Sequence, residues 1–117
     1  MEVVKYAEAP FYTAPNHDGV TSRRLQGGDA SSADCAWVAY SEFPAGVVVP
    51  MDVGTFGKIY VVTQGVLTVR QEDGVRHTLA ERDSIFIAAG EARSIINDSG
   101  RPAAILVITS APITPNE

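Results

Sequence analysis

Apolar and polar positions alternate over short stretches of this chain and never recur at i, i+3, i+4, i+7 for three turns, so the pattern predicts strands and no long helix. Runs rich in β-branched or aromatic residues occupy residues 3–6, 21–25, 36–43, 46–51, 58–63, 66–71, 75–79, 84–87, 93–97 and 103–109. Glycine, proline and short polar residues separate them. Glu72-Asp73-Gly74, between VLTVRQ and VRHTL, is a tight hairpin signal, and Asn97-Asp98-Ser99-Gly100 ahead of Arg101-Pro102 marks another reversal. Sequential strands with turns about every 8–12 residues and no crossover helices predict an all-β antiparallel sandwich or small barrel.

With 117 residues the chain is long enough for one hydrophobic core and too short for two, so residues 1–117 are read as a single domain. Residues 1–20 form its N-terminal arm, 36–109 its core and 110–117 a frayed tail. A composition of 45% apolar and 20% charged residues is that of an ordinary globular domain. Nine basic against fourteen acidic residues give a net charge of −5, which repels phosphate backbones and excludes nucleic acid as a partner. The single Cys35 can form neither an internal disulfide nor a zinc knuckle, and is expected as a small apolar core residue. The start, MEVVKYAEAPFY, lacks a cationic stretch followed by an apolar run, and no segment approaches the roughly 20 apolar residues that span a bilayer. A cytoplasmic protein with no membrane partner is the expectation.

From Gly46 onward the chain resembles the cupin family. The first cupin signature, Gly, five residues, His-x-His, three or four residues, Glu, six residues, Gly, fits from Gly46 to Gly65, with Asp52 and Gly54 in the His slots and Lys58 in the Glu slot. The second, Gly, five residues, Pro-x-Gly, two residues, His, three residues, Asn, falls on Arg82, Ala88, Gly90, Arg93 and Asn97. Together with the KIYVVTQGVLTV and DSIFIAAGEARSIIN strings, the resemblance covers about residues 36–109 and implies a cupin-type antiparallel β-barrel or jelly-roll sandwich. Small cupins commonly pair through their sheets, so a homodimer is implied, with residues 3–6 either reaching across as a strand or folding back on their own sheet.

The metal chemistry of the family does not carry over. Arginine keeps its proton, lysine adds a second positive charge and glycine has no side chain, which leaves Asp52 as the only anionic ligand in the four slots. His17, in the loop-like APNHDGV segment, and His77, on the return strand of the hairpin, lie outside both motifs. No metal and no other cofactor is expected. Strand period places Asp52 with Gly54, Lys58 with Tyr60, and Arg93 with Asn97 on faces that the resemblance turns into the barrel. Arg93 and Lys58 then suit a carboxylate or enolate oxygen, Asp52 a general base for a carbon-bound proton, and the Tyr60 hydroxyl a proton donor. Asn97 and Trp37 are candidate substrate contacts, although Trp37 shares parity with Phe43 and fits the sandwich core as well. Arg23 and Arg24 must face opposite ways, and one of them is free to reach the pocket. This set points to a metal-independent lyase or isomerase acting on a small anionic or carbonyl-containing metabolite. The alternatives are a non-catalytic anion-binding module and a structural remnant closed by an Asp52–Arg93 pair.

Overall fold

A computed structural model describes residues 1–110; of the tail expected at 110–117, Ser110 closes the last strand and the rest lies outside the described residues. Ten strands follow in order: β1 (Phe11–Tyr12), β2 (Thr21–Gln26), β3 (Ala36–Phe43), β4 (Val48–Val53), β5 (Lys58–Gln64), β6 (Leu67–Gln71), β7 (Arg76–Leu79), β8 (Ser84–Ile87), β9 (Ala92–Ile96) and β10 (Ala103–Ser110). They build a six-stranded sheet in the order β1-β2-β3-β10-β5-β8 and a four-stranded sheet in the order β4-β9-β6-β7. The result is a jelly-roll sandwich of two antiparallel sheets and not a closed barrel. No helix among the described residues is long and apolar enough to cross a membrane.

Side chains alternate across each strand, so every second residue meets the opposite sheet. Phe43, Val62 and Ile105 from the larger sheet pack on Val49, Leu67, Val69 and Ile95 from the smaller one, and all seven are almost fully buried. Along the inward rows this apolar end gives way to polar residues at the other: β5 passes from Val62 through Tyr60 to Lys58, and β9 from Ile95 to Arg93. The polar end is where the site lies.

Three expectations change. Residues 3–6 are not a strand: the chain enters a 3-10 turn at Tyr6–Glu8, and no neighbouring strand is in register with it. The Tyr6 hydroxyl donates to Glu42 Oε1 at 2.9 Å and its ring meets Tyr40 edge-on, so this segment folds back on its own sheet. The strand expected at 46–51 begins two residues later, because Gly46, at φ +87°, is still turning while its N–H donates to the Asn97 carbonyl. Cys35 is exposed and not part of the core, since it precedes the first paired residue of β3.

Candidate functional site

At the polar end the sheets enclose a cavity of about 260 Å³, walled by Trp37 and Ser41 from β3, Lys58 and Tyr60 from β5, Arg93 from β9 and His17 from the loop before β2. A vestibule of about 350 Å³ shares His17, Phe56, Lys58 and Arg93 with it and adds Asp52 and Gly54. Four motif slots therefore converge on one space.

Arg93 is the most constrained of them. It is 7% exposed and its Nε donates to the Tyr60 hydroxyl at 2.9 Å, yet its buried Nη1 has no acceptor among the described residues. Burial pushes the Tyr60 phenol above its ordinary value, against the pull of Arg93, so the hydroxyl keeps its own proton to donate. Lys58 is half-buried, and that burial, reinforced by Arg93 and opposed by Asp52, holds its ammonium below the ordinary lysine value. Its position depends on Gly54: a Cβ built there would lie 2.6 Å from Lys58 Nζ, so the ammonium occupies the space a side chain at 54 would need. The ion pairs among the described residues are Arg24–Asp29 and Arg76–Asp98, which leaves both Lys58 and Arg93 without a carboxylate partner.

Asp52 lies opposite Arg93 across β4 and β9, after a bulge between Val49 and Asp52 adds one residue to β4. Its carboxylate is exposed and Oδ1 accepts the Val53 N–H at 2.8 Å, so it borders the vestibule and does not plug the cavity. Trp37 does wall the cavity, while Phe43 is both wall and core. Arg24 is the arginine that turns inward; its guanidinium lies over the Tyr12 and Trp37 rings at 4.3 and 4.6 Å and pairs with Asp29 at 3.2 Å. Arg23 packs outside on Tyr6 and Phe11.

Asn97, expected beside a ligand, lines neither space. It is fully buried, with Nδ2 facing the Phe43 and Arg101 carbonyls at 2.8 Å and Oδ1 accepting from Ser99, because it ties the β3–β4 turn to the β9–β10 loop. His17 is the residue the motif reading leaves out. It sits in a turn with Asn16 at φ 60° and Gly19 at φ 83°, and nothing in the local spacing shows that the loop folds over the mouth of a cavity built by later strands. His77 bonds Gln71 at 2.6 Å on β7, away from both spaces.

The donor set does not fit a divalent metal. Two slots hold cations, the third is filled by the Lys58 ammonium over Gly54, and no cluster of three or more His, Cys, Asp or Glu exists among the described residues.

Residues 40–109 match the cupin domain family. A β-D-galactosidase of Mycobacterium tuberculosis is 37% identical over 114 residues, 97% of each chain. Among solved structures, the polyketide cyclase RemF from Streptomyces resistomycificus superposes with a TM-score of 0.83 at 18% identity, over 96% of this chain and 80% of that one. The DMSP lyase DddQ from Ruegeria pomeroyi superposes with a TM-score of 0.80 at 19% identity, over 92% of this chain and 58% of that one. At such identities the structural likeness is one of fold.

Proposed function

The chain belongs to the cupin family, and from that premise we propose that it is an enzyme working without a metal, a lyase or isomerase that draws a proton from carbon next to a carbonyl or carboxylate group of a small compound. The observation that carries this reading is Arg93 Nη1, a buried guanidinium nitrogen without an acceptor among the described residues. A buried unmatched donor costs about 1–3 kcal/mol, and an oxyanion brought by a ligand offsets that cost. Deprotonation beside a carbonyl moves negative charge onto its oxygen, and Arg93 and Lys58 on the cavity wall are the cations that answer it. The Tyr60 hydroxyl is the donor for a leaving oxygen, and Asp52 and His17 are the two side chains able to take the carbon-bound proton.

The test is hydrogen exchange. Small keto and hydroxy acids are incubated with the protein in D2O and chelator, and the α-proton signals are followed by NMR. Exchange is expected for at least one compound and slows about 10²–10³-fold in Arg93→Met. Carboxylates that bind with no exchange across the panel would mark a binding module instead.

A second reading rests on the relative named a β-D-galactosidase. Glycoside hydrolysis ordinarily uses two facing carboxylates, whereas Asp52 is the one carboxylate that borders the cavity and vestibule among the described residues. Release of nitrophenol from an aryl β-D-galactoside, lost in Asp52→Asn, would favour this reading over the first.

A further inference from the structure

Asp52 and His17, the proton acceptors on the walls of the vestibule and cavity, are not equivalent. Asp52 is exposed, borders only the vestibule and spends one oxygen on the Val53 N–H. His17 walls both the vestibule and the inner cavity. Its Nδ1 lies 2.7 Å from the Pro15 carbonyl oxygen, which can only accept, so Nδ1 carries the proton and Nε2 keeps its lone pair. The backbone holds the ring in place, since His17 N–H donates to Ala14 and the Val20 N–H donates to the His17 carbonyl.

We infer that His17, through Nε2, is the base that takes the carbon-bound proton, with Asp52 outside the transfer. The inference rests on the proton-abstraction reading above. The C–H bond breaks, its electron pair forms the enolate double bond, and the carbonyl oxygen takes the negative charge against Arg93 and Lys58. The proton goes to Nε2, and the imidazolium returns it to the product, so no oxidant or reductant is needed.

The electrostatics agree with this role. Burial, with Arg93 and Lys58 on the same side, holds His17 below the ordinary imidazole value, while the Pro15 carbonyl and Asp52 act the other way. The remaining charged side chain on the cavity wall, Arg24 of β2, is paired with Asp29. The free site thus favours the neutral imidazole, with the Nε2 lone pair open to a proton. An anion against Arg93 and Lys58 cancels part of their repulsion, so ligand arrival raises the affinity of Nε2 for a proton.

Long-range proton–nitrogen spectra of labelled protein, with His77→Gln to separate the two histidines, read this directly using acetate as the probe. The expected result is an Nδ1-protonated His17 whose titration midpoint lies below the ordinary value and moves up with acetate, a movement lost in Arg93→Met. In the exchange assay, His17→Gln lowers turnover at least about 100-fold with acetate affinity held within about threefold, and Asp52→Asn lowers it less than about tenfold. An Nε2-protonated ring, or a midpoint indifferent to acetate that binds through Arg93, overturns the role of His17 and leaves the anion clamp standing. Loss of exchange in Asp52→Asn but not in His17→Gln overturns it too. Acetate that fails to bind at all removes the clamp and this inference together.

Discussion

Gly54 and Lys58 depend on one another: the missing Cβ of the first is what admits the ammonium of the second. Gly54 has no positive φ, so alanine there meets no backbone penalty and acts only on its neighbour. Gly54→Ala should therefore fold normally and displace Nζ, lowering carboxylate affinity about tenfold, as titration calorimetry would measure; unchanged affinity would mean that Lys58 is not part of the clamp. At this scale the motif slots place Asp52, Gly54, Lys58 and Arg93 around one space, although Asn97, in a slot as well, lies away from it. The sequence is silent where contact depends on distant strands. His17 reaches the site by the path of its loop, and the choice between Arg23 and Arg24 is settled by how β2 lies on β3.

Asn97 shows how one residue ties the ends of distant elements together. Its side-chain amide donates to the Phe43 and Pro44 carbonyls where β3 enters the turn and to the Arg101 carbonyl in the β9–β10 loop, while its backbone exchanges bonds with Gly46 and Val47 ahead of β4. Asn97→Ala would leave those buried carbonyls without donors and should cost about 2–3 kcal/mol in denaturant unfolding while carboxylate affinity per folded molecule is kept. A loss of affinity without a loss of stability would return Asn97 to the ligand. β3 and β8 match their sequence limits because their patterns end where the pairing ends, whereas β4 starts late because Gly46 is still turning, its N–H on the distant Asn97 backbone carbonyl. Residues 3–6 had a strand's composition but no registered neighbour, and composition alone does not pair a strand. The bulge in β4, which sets Asp52 opposite Arg93, was likewise invisible in a count of alternating positions, although Pro50 on this edge strand is compatible with it.

The whole molecule carries a net charge of −5, yet its cavity is lined by two cations with no carboxylate partner among the described residues. Such a concentration of positive charge against the overall sign costs stability unless an anion answers it, and a folded state that binds an anion gains RT ln(1 + [L]/Kd). Arg93→Met keeps the aliphatic stem but removes both the unmatched nitrogen and the bond to the Tyr60 hydroxyl, so the variant's own melting temperature without ligand is the baseline for its response to ligand. The decisive measurement is the melting temperature of wild type and Arg93→Met in chelator against rising acetate and pyruvate. A saturable rise of about 5 °C or more in the wild type at large ligand excess, absent in Arg93→Met, is the predicted result. Wild type and variant melting together across the titration, or a rise produced by divalent metal and not by carboxylate, would contradict the account.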